Sequence, residues 1–201
     1  SRVGVNDLVM SWDGNNEINT EGGKDYIRLG HGDNRVTAGD GANRVTGSDG
    51  DNQVETGSGA YRITLGDGDN QIAAGAGKNQ ILAGDGQNEI LAGSGDDKIT
   101  VGSAANEINA GNGRNTIKAG AGDNQITTGK DSDSILVGDG HNTIDAGDGT
   151  NRITAGDGDN TIQSGSGKDD LRIGDGNNQI SADDGDNKIT AGDGDNFIEA
   201  G

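Results

Sequence analysis

Cysteine and proline are absent from the 201 residues, so no disulfide framework staples the chain and no ring-locked residue interrupts it. The aromatic residues are only Trp12, Tyr26, Tyr61 and Phe197, too few for the base-stacking platforms that single-stranded nucleic acid uses. Positive charge is scarce as well. Fifteen Lys and Arg stand against 34 Asp and Glu, and the net charge of −19 repels a phosphate backbone. No apolar run is longer than three residues, so neither a membrane span nor a signal peptide is read in these residues.

Low hydrophobicity with high net charge normally means disorder. Here the apolar residues are sparse but strictly placed. From Val9 through Ile18, Ile27 and Val36 to Ile198, every ninth position holds Ile, Val or Leu, in all 22 slots. Two residues before each stands Asn in 16 cases, Asp in five and Tyr once, at Tyr61. Gly-x-Gly turns separate the units, as in Gly66-Asp67-Gly68-Asp69-Asn70, and glycine totals 40 residues. A fixed short period over a whole chain predicts a stack of like coils rather than a globule with one pocket. Within the unit Asn-x-Ile-x-Ala, strand alternation sends Asn, Ile and Ala inward and the intervening residues outward.

The outward residues sort by alternate units and so set the coil length. Units centred on Ile27, Val45, Ile63 and every eighteenth residue after them expose Arg28, Arg44, Arg62, Lys98, Lys118, Arg152, Arg172 and Lys188, with Asp170 as the one acid. The other units expose Glu17, Glu55, Glu89, Glu107, Asp145 and Glu199, with Arg35 as the one base. Turns after the basic strands carry Asp49, Asp51, Asp67, Asp69, Asp157, Asp159, Asp175, Asp193 and Asp195. The opposite edge carries Lys24, Lys78, Arg114, Lys130 and Lys168. The expected fold is therefore all-β: a right-handed parallel β-roll with eighteen residues per coil, about eleven coils and a length of roughly 50 Å. A weaker period of thirty-six overlies it. Large residues replace the inward Ala at Leu29, Leu65, Val101, Val137 and Ile173, in the units that carry Asp25, Tyr61, Asp97, Asp133 and Asp169. A four-sided coil of that length would enclose more space than Ile and Ala can fill.

These residues resemble the repeats-in-toxin nonapeptide, Gly-Gly-x-Gly-x-Asp-x-aliphatic-x, over nearly the whole chain. The resemblance implies a parallel β-roll loaded with calcium, bound between coils through the sixth-position Asp. Only Asp7, Asp25, Asp97, Asp133 and Asp169 keep that residue; the other equivalents are sixteen Asn and one Tyr, and the first Gly is usually Ala, as at Ala38, Ala74 and Ala191. Asn both donates and accepts, so stacked Asn residues can bond one another and the turns without an ion. Calcium in those inner turns is the alternative. A second candidate cation site is the acidic edge, where Asp49, Asp51, Asp67 and Asp69 fall on adjacent coils and Asp157, Asp159, Asp175, Asp193 and Asp195 repeat the pattern.

No catalytic constellation stands out. His31 and His141 lie in separate turns without a nucleophile, and the Gly-x-Gly turns lead into no helix that could hold a phosphate. Residues 1–25 are the least regular and are expected to cap the first coil with Val3, Val5, Met10 and Trp12, leaving 26–201 as the roll. The strand with Phe197 and Ile198 lacks such a cover, and an open edge of this kind invites end-to-end or lateral self-association. The chain reads as a non-enzymatic structural or interaction module of a secreted or cell-surface protein: an adhesin, surface layer or filament, with a cell-surface or polysaccharide partner. It requires no cofactor, binds no nucleic acid and inserts in no membrane. Alternatives are a calcium-dependent secretion module and an ice-binding solenoid. The column of Thr46, Thr64, Thr100, Thr154 and Thr190 suggests the latter, though Leu82, Lys118, Leu136 and Arg172 interrupt it.

Overall fold

The computed structural model describes residues 4–201, so Val3 of the expected cap lies outside the described residues. Twenty-two strands follow one another from Leu8–Met10 to Phe197–Ala200, with no helix among the described residues. They form two sheets of eleven strands, and successive strands alternate between the sheets. Every pairing is parallel and links positions eighteen residues apart, as Ile63 with Ile81 in the first sheet and Ile72 with Ile90 in the second, except at a register shift that sets Gly111 beside Thr128. This is the eighteen-residue coil that the outward charges require.

Strand alternation does the sorting. In Arg152–Ala155 the outward Arg152 is exposed while Ile153 and Ala155 are buried, and Gln71–Ala74 repeats the pattern. The inward Ile, Val and Ala residues of both sheets form a single apolar cluster between them. Burying each Ile in this way is worth about 2 kcal/mol. Parallel sheets need both faces satisfied over long sequence separations; here the short coil supplies each strand with its partner one turn away.

The thirty-six-residue rhythm has a packing cause. Gly47 lies inward between Leu29 and Leu65, and a Cβ built there would stand 2.9 Å from Leu65 Cδ2 and 3.3 Å from Leu29 Cδ1. Small and large residues thus interlock along one sheet. The outer turns are glycine-dependent for a different reason. Gly77 takes φ of +137°, and its Cβ would fall on the carbonyl of Gly59 in the coil before. Ala104 and Asp131 adopt positive φ at equivalent turn positions, with φ of 127° and 97°, and non-glycine residues are strained there.

Within residues 1–25, the expected capping coil, the strands are built on the same geometry as the rest. Leu8–Met10 pairs in register with Tyr26–Arg28, and Glu17–Thr20 pairs with Arg35–Ala38, so residues 1–25 already contain the first strands of both sheets. Alternation turns Val9 inward and Met10 outward. Trp12 remains 86% exposed, beside a surface hollow it shares with Arg28 and Leu29 of the next coil.

Strain at Ala104 gives a direct expectation. Ala104→Gly should raise stability by about 1 kcal/mol in urea unfolding, whereas Gly77→Ala should lower it by about 2 kcal/mol or more. Equal midpoints for the two variants would contradict this account of the turns.

Candidate cation-binding edges

The residue two before each aliphatic position lies inside the coil, at one of its two edges. On the edge that follows the first sheet it is Asn in every coil, from Asn16 to Asn196. Each Nδ2 donates to Oδ1 of the Asn eighteen residues on, at 2.8 to 3.1 Å, in ten consecutive steps. The same Oδ1 accepts a backbone N–H from the coil before, as Asn106 does from Asn88 at 3.1 Å. The amide also serves its own turn: Asn88 Nδ2 donates to Gly86 O at 2.9 Å and Gly84 O at 3.1 Å. Three oxygens therefore converge on one –NH2 group.

The other edge alternates. Asn43, Asn79, Asn115, Asn151 and Asn187 fall between Asp25, Tyr61, Asp97, Asp133 and Asp169. Each of these Asn keeps a turn bond, such as Asn115 Nδ2 to Gly113 O at 2.8 Å. No amide-to-side-chain step joins the coils on this edge among the described residues. Asp Oδ1 accepts a backbone N–H, as Asp97 does from Asn79 at 2.7 Å. Oδ2 of Asp25, Asp97, Asp133 and Asp169 is buried without a partner. An Asp at this place offers an acceptor where its Asn equivalents offer a donor, so oxygen faces oxygen. Burial accordingly pushes the Asp97 carboxyl up to about 6, against the pull of the Asn79 N–H. The Asp133 carboxyl is raised for the same reason. Tyr61 resolves the conflict in its own coil, because its hydroxyl donates to Gly39 O at 2.9 Å.

Four residues that the sequence reading passed over belong to this edge. Thr20, Thr56, Thr128 and Ser164 are buried in the Ala slot of the second sheet, five residues before Asp25, Tyr61, Asp133 and Asp169. Their thirty-six-residue spacing was the available signal. Asp97 has Ala92 in that slot.

The acidic-edge candidates are all exposed and lie in two columns on the outside of the turns. One oxygen of each of several is committed to the fold: Asp49 Oδ1 accepts Asp67 N–H at 3.0 Å, Asp51 Oδ1 accepts Asp69 N–H at 2.8 Å, and Asp175 Oδ1 accepts Asp193 N–H at 2.7 Å. Asp157 and Asp159 do the same for Asp175 and Asn177, and Asp195 donates its N–H to Asn177 Oδ1 at 2.9 Å. No group of three His, Asp or Glu side chains converges as a metal cluster among the described residues. His141 works in the same column, its Nδ1 accepting the Asp159 N–H at 3.2 Å. The opposite outer edge is mixed rather than basic. It holds Asp40, Asp96 and Asp148 beside the lysines, and Arg114 pairs with Asp96 at 3.1 Å.

Stacked nonapeptides with an inward polar residue at each turn define a parallel β-roll. A family model, the RTX calcium-binding nonapeptide repeat, matches residues 6–36, 30–63, 64–99, 100–135, 136–171 and 173–201. The chain belongs to this family. No curated protein and no solved structure matches it. The family implies calcium, and the two edges answer differently. The Asn edge does not fit a cation, because amide hydrogens already occupy its oxygens. Asp25, Asp97, Asp133 and Asp169 do fit, each with an orphaned buried oxygen of the hard type that calcium prefers.

Exchanging the two residue types should have opposite effects. Asp97→Asn supplies the missing donor and should raise stability at neutral pH by about 1–3 kcal/mol. Because burial lifts Asp97 above its ordinary value near 3.9, the native state holds the proton more tightly, and this group's stability contribution falls as pH rises from about 4 through 6. That component should vanish in the variant. Asn124→Asp should instead cost several kcal/mol by orphaning Gly120 O, Gly122 O and Asn142 Oδ1. Melting curves of both variants between pH 4 and 8 check the signs. A stabilising Asn124→Asp would overturn the amide account.

Proposed function

We propose that this roll is a rigid structural and interaction module of a secreted or cell-surface protein, folding without calcium and responding to it only in part. The observation that carries the reading is the unbroken amide ladder, which closes one entire edge with no ion. Repeat rolls of this family are typically secreted and non-catalytic, and both histidines of this chain sit in the outer turns, His31 Nδ1 lying 3.9 Å from Asp49 Oδ2. No helix among the described residues is long and apolar enough to cross a membrane.

A calcium-responsive variant of the reading rests on the orphaned carboxylates of the other edge. Cations also gather along the exposed acidic columns, Asp49, Asp51, Asp67 and Asp69 among them, and lower their mutual repulsion. The outer strands Lys188–Ala191 and Phe197–Ala200 have one unpaired backbone edge each, which accepts a further coil from the same chain or from another copy. An ice-binding role is less well supported, since Leu82 and Leu136, each 44% exposed, break the threonine column.

Circular dichroism in chelator and in about 1 mM calcium tests this directly. The spectrum in chelator should already be that of a β-protein, and calcium should raise the melting temperature by only a few degrees. An unfolded spectrum in chelator would leave the calcium-dependent secretion module as the better reading.

A further inference from the structure

The two sheet faces carry opposite charge, and their charged residues are exposed apart from the half-buried Asp170 and Arg172. The first sheet presents eight bases and one acid, and of those bases only Arg172 has a salt-bridge partner among the described residues, Asp170 at 2.6 Å. The second sheet presents six acids and one base. A net-negative protein that keeps a face of unpaired cations has a surface fitted to an anionic partner, and its own opposite face is one.

The columns allow a sharper comparison. The turn at the Lys24–Lys78 edge leaves the second sheet and enters the first. Beside that edge therefore run the column preceding the aliphatic residue in the first sheet and the column following it in the second. Two copies stacked face to face, with this edge on the same side, bring those two columns together; the other two columns meet likewise. Set each first-sheet strand over the second-sheet strand that precedes it in sequence. Arg62 then meets Glu55 and Arg152 meets Asp145 across one pair of columns. Arg28 meets Glu17 and Lys118 meets Glu107 across the other. All eight are exposed, and no like charges meet anywhere along the face in this register. Shifting by one coil in one direction sets Arg28 against Arg35, and shifting by one coil in the other sets Asp170 against Asp145.

We propose that the roll associates laterally with a second copy, first sheet on second sheet, in this register. The inference deepens the structural reading above and rests on it. The contact is heterologous, so it does not close on itself and builds open stacks of rolls. Strands of four residues along a roll of roughly 50 Å give a face on the order of 600 Å² per copy, somewhat below a standard interface. Association is therefore concentration-dependent and weakened by salt.

Sedimentation velocity on the full chain tests it. At about 0.1 M salt, wild type should form species larger than a monomer as concentration rises, and about 1 M salt should dissolve them. Arg62→Glu with Arg152→Glu should weaken association at least about tenfold, and so should Glu55→Arg with Asp145→Arg. Mixing the two double variants should restore a heterologous complex. Circular dichroism confirms that each variant is folded, and Lys118→Glu with Glu107→Lys provides a second swap. A wild type that stays monomeric overturns the proposal. So does association that survives the swaps, which would point to end-to-end stacking. Retention of monomeric wild type on polygalacturonate, lost in the Arg62 and Arg152 variant, would assign the basic face to an acidic polysaccharide instead. Failure here leaves folding in chelator unaffected, so the two readings are separable.

Discussion

The structure depends on one requirement: carbonyl groups that turn inward at the coil edges must receive hydrogen bonds in a place that water does not reach. The carboxamide of Asn meets it economically. It accepts a backbone N–H from the coil before, donates to its own turn, and donates to the next coil through the same two hydrogens. A single net hydrogen bond contributes only about 1 kcal/mol, but an orphaned buried partner costs about 1–3 kcal/mol. The ladder therefore matters less for what each rung adds than for what each missing rung would leave exposed. Ile and Ala can pack the interior only because these edges are closed.

Against that background the aspartates of the other edge are the informative departures. Asp25, Asp97, Asp133 and Asp169 replace a donor by an acceptor and leave one oxygen of each orphaned. A structural ladder has no need of that arrangement, whereas a proton or a cation does. Tyr61 occupies the same series and brings its own donor, so its coil asks for neither. The roll thus has one edge sealed by its own amides and one whose closure depends on conditions, while a common apolar core runs between them.

Period, strand direction, coil length and the charge of each face were legible in the sequence because each is a property of columns, and columns follow from register alone. The Asn ladder was legible for the same reason: an amide repeated at every coil has few alternatives. The orphaned oxygens were not legible. Asp97 and Asn106 occupy equivalent slots, and only the direction of the carboxamide in the ladder reveals which atom an Asp would turn toward the turn carbonyls. Thr20, Thr56, Thr128 and Ser164 were hidden by the Ala slot they share. The mixed outer edge was obscured because Lys24 and Lys78 stand out in an acidic chain, whereas Asp40, Asp96 and Asp148 do not. Met10 and Trp12 look like core material, but strand alternation leaves Met10 outside.

Since each coil touches only its neighbours, the chain tolerates changes of length in discrete steps, and the steps are not equivalent. Removing nine residues would keep every Ile inward yet move all later strands to the opposite sheet, so basic residues would continue an acidic face and Asp would enter the Asn column. Removing eighteen would preserve both faces but put Asp next to Asp, or Leu next to Leu, along the alternating edge and core. Only a loss of thirty-six leaves the face charges, the amide ladder and the alternation of large and small residues all in phase. The natural unit by which such a gene can lengthen or shorten is therefore four nonapeptides, although the backbone itself repeats after two.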